Sequence, residues 1–127
     1  MVFQTPQDSF DPMQTLETGI LEAFRNQGMS RKEACLHLPE LLKKVELSSE
    51  TAMRYPRETS GGECQRAAIA RALAVQPSLL ICDEATSALD AAVQAQIVQL
   101  LKKLQREEGL AMLWIGHDLA LVRELCS

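Results

Sequence analysis

The stretch SGGECQRAAIARALAVQPSLLICDEATSALD, residues Ser60 to Asp90, decides the fold. Ser60-x-x-Glu63 is a capping box, in which each side chain satisfies a free amide of the other's turn. It opens an Ala-rich helix through Leu73, which Pro77 breaks by removing a donor and crowding the preceding turn. Leu79-Leu80-Ile81-Cys82 is then a short, wholly apolar run, the pattern of a strand in a sheet buried on both faces. It surfaces at Asp83-Glu84, and Ser87-Ala88-Leu89-Asp90 follows. Asp90 caps a long helix in which Val93, Ile97, Leu100, Leu101 and Leu104 recur at helical spacing, and Gly109 stops it. Leu110 to Ile115 is a second apolar strand. Strand, long helix, strand predicts a parallel, right-handed βαβ unit. Gly116-His117 leads to Asp118, which caps a last helix bearing Leu121, Val122 and Leu125.

Upstream the pattern is different. Val2-Phe3 reads as the end of a strand, and Gln4 to Pro12 as a loop rich in Pro, Asp, Gln and Ser. From Thr15 to Arg25, Leu16, Ile20 and Phe24 mark one face of a helix that ends at Asn26-Gln27-Gly28. Ser30-x-x-Glu33 is a second capping box. The helix behind it carries Leu38, Leu41, Leu42 and Val45, and Pro39 is expected to bend or split it. Ser48 to Arg54 allows one more short helix, so Pro12 to Tyr55 is read as helical throughout.

Composition sets bounds on function. The 127 residues fit one domain-sized unit, with 46% hydrophobic and 24% charged residues, as in ordinary globular proteins. A net charge of -4 provides no basic stripe for nucleic acid. The start, Met1-Val2-Phe3-Gln4-Thr5-Pro6, has neither the basic nor the apolar region of a signal peptide, and no apolar run reaches transmembrane length. Cys35, Cys64, Cys82 and Cys126 form no Cys-x-x-Cys pair, which favours buried or neutral thiols over metal ligands.

Three places carry candidate chemistry. Asp83-Glu84 lies at the carboxyl end of an apolar strand, where ligands bind in open α/β sheets. An Asp there suits Mg²⁺, a hard cation that favours oxygen ligands, and its neighbour could take a proton from an attacking water. A solvated carboxylate pair capping a turn would look the same in isolation. Ser60-Gly61-Gly62 opens a helix whose first amides have no intrahelical partner, a natural anion site. A plain cap needs only Ser60 and Glu63, and two glycines in a first turn weaken a helix. Close approach of something to the backbone accounts for them better. His117 follows the second strand and precedes a capped helix, where it could donate to phosphate. A lone His is more often a surface or core residue, and His37, which lacks such a context, is read as structural. No Gly-x-x-x-x-Gly-Lys-[Ser/Thr] loop occurs in the chain.

Taken together, these residues resemble the ATP-binding-cassette (ABC) ATPases. Gln4 resembles the Q-loop, Ser60 to Glu63 the signature motif, Leu79 to Glu84 the Walker B strand, Ser87-Ala88-Leu89-Asp90 the D-loop and His117 the H-switch, all in family order. Gln7 to Thr15, Gly62 to Arg66 and Ile81 to Glu84 are also similar to the dipeptide, oligopeptide and nickel importer branch. The resemblance implies an α/β fold, a partial P-loop NTPase parallel sheet with an inserted α-helical subdomain. It implies a Q-loop segment at 1–12, the helical subdomain at 13–58, and core at 59–127 with signature helix, Walker B, D-loop and H-switch. It implies ATP and Mg²⁺ in the full-length protein. Glu84, His117 and Gln4 would act in catalysis, and Asp83 with Gln4 would hold Mg²⁺ through water. Ser60, Gly61, Gly62 and Glu63 would bind nucleotide in trans. Implied partners are a second ABC ATPase subunit in a head-to-tail dimer and transmembrane permease subunits. The implied location is cytoplasmic, on the inner face of the cell membrane through the permease.

Glu63 stands where the family commonly has Gln, Ala85 replaces a frequent Pro, and Thr59 a frequent apolar residue. The Walker A loop of such a protein lies ahead of Gln4. The chain is therefore expected to be a C-terminal-half fragment of an importer ATPase, inactive alone. The alternative is a non-catalytic module that donates Ser60-Gly61-Gly62 in trans or occupies a permease. DNA-repair and chromosome ABC ATPases share the signature but carry coiled-coil or zinc insertions, and neither is present in this sequence.

Overall fold

Helix starts follow the hydroxyl residues, because a Ser or Thr oxygen at the N-cap takes up an amide that has no partner in the helix. The structure, a computed structural model, describes residues 10–83 and 91–115. Helix α1 (Leu16–Asn26) is capped by Thr15, whose Oγ1 accepts from Thr18 N at 3.3 Å. Helix α2 (Arg31–Lys44) is capped by Ser30, whose Oγ accepts from Glu33 N at 3.2 Å. Only that half of the expected box forms. Pro39 lies inside α2 without splitting it. It lies on the solvent side, as does Cys35, whose carbonyl loses its amide partner, so water can satisfy that oxygen. Leu38, Leu41 and Leu42 hold the helix to the core on either side of the proline.

Helix α3 (Ser49–Ala52) is a single turn capped by Ser48, and a 3₁₀ turn follows at Pro56–Glu58. A backbone bond from Leu16 N to Arg54 O, 3.0 Å, ties the start of α1 to this region. Helix α4 (Gly61–Ala74) opens at Ser60 as expected. Strand β1 (Leu79–Asp83), helix α5 (Ala91–Glu108) and strand β2 (Ala111–Ile115) complete the described chain. The two strands are parallel, with Leu79 opposite Ala111 and Asp83 opposite Ile115. Gly109, at φ +64°, ends α5 where the sequence placed the stop. The expected strand end at Val2-Phe3 and the last helix with Leu121, Val122 and Leu125 lie outside the described residues.

Two-sided burial of the strands is not what the described residues show. Leu80 is 1% exposed, but Leu79 and Leu113 are 49% and 50% exposed on the opposite face. Side chains alternate across a strand, so one face of this two-stranded sheet meets the core and the other does not.

The core is one apolar cluster running from Phe10 to Leu110, with α4 at its centre. Cys64, Ala67, Ala68, Ile69, Ala70, Leu73 and Ala74 are buried around much of its circumference, and it packs against α1, α2 and α5. Small alanines let three neighbours approach one helix closely. Phe10 closes one side, 5% exposed, its ring 4.2 Å from the Arg71 guanidinium. An added Cβ on Gly19 would lie 2.9 Å from that ring, so α1 needs a glycine there. Ion pairs Lys44–Glu108 (3.0 Å) and Glu46–Lys103 (3.8 Å) span from the end of α2 to α5 at the surface, where such pairs contribute little. No described helix is long and apolar enough to cross a membrane.

Candidate functional site

The N-terminal turn of α4 is the candidate site on which the structure is most detailed. Ser60 has extended backbone (φ -71°, ψ 163°), which turns its side chain back over the helix start. Its Oγ accepts from Glu63 N at 3.1 Å, and its own N–H donates to Glu63 Oε1 at 2.9 Å. The first ladder bond runs from Cys64 N to Ser60 O, 3.0 Å. The amides of Gly61 and Gly62 therefore precede the ladder, at the positive end of the helix dipole. Ser60 is exposed, Gly61 half-buried and Gly62 buried. The Ser60 oxygen is used as an acceptor, which leaves its O–H free to donate outward. An exposed hydroxyl donor and two pre-ladder amides fit the oxygens of a phosphate.

Glu63 is drawn into the scaffold. Besides Ser60 N–H, it accepts from Thr51 Oγ1 at 3.4 Å, and Ser48 Oγ donates to Thr51 Oγ1 at 2.8 Å. A chain of hydrogen bonds thus runs from the cap of α3 to the first turn of α4. The Ser60 backbone N–H is the main reason that the Glu63 carboxyl is held below the usual range. Burial pushes it the other way, while the Ser60 and Thr51 side chains and the Arg54 charge add to the lowering. Both carboxylate oxygens are engaged within the chain.

The two glycines of the turn differ. A Cβ on Gly62 would lie 2.6 Å from Val93 Cγ1, so the close approach inferred from sequence is made here by a side chain of α5. Nearby, Arg66 Nη2 donates to Gln96 Oε1 at 3.2 Å. Sequence reasoning gave Thr51 and Val93 no part in this turn. Neither lies at a fixed spacing from it, and only the packing of α3 and α5 brings them there.

Asp83 ends β1 level with Ile115 at the end of β2. Both strands therefore finish at the same end of the sheet. Gln4, Glu84, Ser87, Ala88, Leu89, Asp90 and His117 lie outside the described residues. Among the cysteines, the Cys64 thiol is pushed up to about 11 by burial, against the Thr59 hydrogen bond and the Arg71 charge, and so stays neutral. Cys35 is exposed rather than buried. His37 packs beside Phe24, ring centroids 6.3 Å apart, a structural contact.

A family model described as ABC transporter matches residues 1–87. The chain belongs to the ABC transporter family. Over 98% of its length it is 47% identical to the oligopeptide transport ATP-binding protein OppF of Escherichia coli, of which it covers 38%. It is 51% identical to the probable peptide ABC transporter ATP-binding protein y4tS of Sinorhizobium fredii, covering 36% of that protein. The glutathione import ATP-binding protein GsiA of Escherichia coli is 49% identical, with 20% of its length covered. The chain thus spans well under half of these relatives. Among solved structures, the ATP-binding cassette MJ0796, a dimer in a post-hydrolysis state bound to ADP and Pi, matches with a TM-score of 0.78 at 35% identity. That match covers 96% of this chain and 54% of the cassette. CbiO1 from Clostridium perfringens, part of the ABC transporter complex cbiONQ, matches with a TM-score of 0.84 at 26% identity, covering 95% and 47%. The α/β architecture, a helical layer on a small parallel sheet, is therefore that of part of an ABC cassette.

Proposed function

We propose that this chain is the signature-bearing part of the ATP-binding subunit of an ABC importer for peptides or a related small cargo. Support comes from the names of the relatives and from the turn at Ser60 to Gly62, which combines an exposed hydroxyl with two amides that precede the helix ladder. In this reading Ser60 O–H and the Gly61 and Gly62 amides meet the terminal phosphate of ATP held by a second subunit. Glu63 belongs to the same turn and positions it through Ser60 and Thr51. Residues 1–12 form the Q-loop segment, 13–58 the helical subdomain and 59–127 the remaining core. Asp83 and Gln4 would hold Mg²⁺, which supplies positive charge against the phosphates. Glu84 would accept the proton of the attacking water, His117 would donate to the phosphate, and Ser87 to Asp90 would contact the opposing subunit. The helical subdomain would face a permease and hold the protein at the cytoplasmic side of the membrane.

A second reading has its own support. The phosphate-facing turn is built wholly from this chain, and the sequence has no Gly-x-x-x-x-Gly-Lys-[Ser/Thr] loop. The chain could therefore act as a module that donates the turn to a complete cassette without hydrolysing ATP itself. Both readings share one test. The purified chain is mixed with a hydrolysis-blocked cassette that carries the phosphate loop, and pairing is measured with and without ATP. ATP-dependent pairing that Gly61→Asp abolishes is expected, because a carboxylate there repels the phosphate while Asp is tolerated at a helix start. Pairing that ignores ATP, or that survives Gly61→Asp, refutes the role of the turn. Turnover by the chain alone then separates the readings from an intact enzyme.

A further inference from the structure

Gly62 is buried at the second position of α4, and Val93 is the third residue of α5, partly buried against the core. A Cβ on Gly62 would lie 2.6 Å from Val93 Cγ1, inside any tolerated carbon–carbon contact, and 3.4 Å from Arg66 Nη1. Valine in a helix has one strongly preferred rotamer, so Val93 has little freedom to swing aside. One turn further on, Arg66 bonds Gln96 at 3.2 Å. Gly62–Val93 and Arg66–Gln96 are thus two successive rungs between the same pair of helices.

We propose that Val93 is a positioning residue for the phosphate-facing turn. It fills the space left by the absent Gly62 side chain and fixes the first turn of α4 to the first turn of α5. The two first turns then move as one unit when the turn at Ser60 to Gly62 is pulled by a second subunit. The functional half of this rests on the phosphate reading above; the packing half does not.

The test is a four-member cycle in this chain: parental, Gly62→Ala, Val93→Ala and both. Each is read by its urea midpoint and by ATP-dependent pairing with the hydrolysis-blocked cassette. In the parental background Gly62→Ala should lower the midpoint and weaken pairing about tenfold or more, the ordinary scale of overpacking. Added to Val93→Ala, the same change should cost little in either readout, since the coupled neighbour is gone. Equal losses in both backgrounds would overturn the proposal. So would a double variant that recovers stability but not pairing, because the bare glycine would then serve the ligand and not Val93. If Gly62→Ala does not fold, a folded double variant supports the proposal and an unfolded one refutes it. If the parental chain shows no ATP-dependent pairing, the phosphate reading fails, while the urea cycle still decides the role of Val93.

Discussion

Replacing Glu63 with Ala should destabilise the chain by about 1–2 kcal/mol, and Glu63→Gln by only about 0.5 kcal/mol. The estimate follows from what the carboxylate does. Alanine removes the acceptor for Ser60 N–H at 2.9 Å and for the Thr51 hydroxyl at 3.4 Å, and removes a negative charge from the first turn of α4. The 3.4 Å contact is long and contributes least. Glutamine keeps an oxygen that can accept from Ser60 and gives up mainly the charge–dipole term, which is about 0.3–1 kcal/mol at such positions. Urea unfolding is the assay. With a slope of about 1–3 kcal/mol per molar, the alanine variant should lose roughly 0.3–2 M in midpoint. The pH dependence is a second arm. Because the folded Glu63 carboxyl lies below its usual value, its stabilisation is fully present above the ordinary glutamate pKa. It is lost as pH falls through the lowered folded value. The gap between the parental chain and Glu63→Gln should therefore be constant near neutrality and close in acid. An alanine variant with the parental midpoint at neutral pH, or a gap to Gln that persists unchanged in acid, would refute the assignment of Glu63 as a structural anchor.

Other outcomes can be checked independently. Ile69 is fully buried in α4, so Ile69→Ala should cost about 2–5 kcal/mol in urea unfolding, far more than a change at exposed Leu36. In the full-length cassette, Glu84→Gln should abolish turnover while retaining ATP binding, and His117→Ala should reduce turnover strongly; hydrolysis by Glu84→Gln at the parental rate would remove Glu84 from the mechanism. The chain alone should not hydrolyse ATP, since it contains no phosphate loop, and turnover abolished by Glu84→Gln would contradict this. The half-exposed Leu79 and Leu113 on the sheet should make the isolated chain self-associate, and a dilution-stable monomer in sedimentation would count against it.

The elements were legible in the sequence because local rules set them. Thr15, Ser30, Ser48 and Ser60 each cap the helix that follows, and Gly109 stops α5, through contacts that span only a few residues. The parallel pairing of β1 and β2 followed from one long helix between two apolar runs. Whether Pro39 splits α2 was not legible, because its effect depends on which face it occupies, and facing solvent it leaves α2 continuous. The strand run Leu79 to Cys82 has no polar residue to mark a second face, so its one-sided burial among the described residues had no signal in composition. At the candidate turn, Ser60 and Glu63 were readable because their bonds lie within one helical turn. Thr51 and Val93 were not, because they arrive from 12 residues upstream and from another helix.

The burial of α4 bears on the proposed role of the turn at its start. A helix enclosed by three others opens its hydrogen bonds only when much of the fold opens with it. The α4 amides from Ala67 to Leu73 should accordingly be among the slowest to exchange with deuterium, and those of exposed α2 around Pro39 among the faster. Ser60 to Gly62 thus sits at the end of a helix enclosed by three described neighbours. A donor set mounted in this way has little motion left to surrender when an anion arrives, so more of each hydrogen bond appears as affinity.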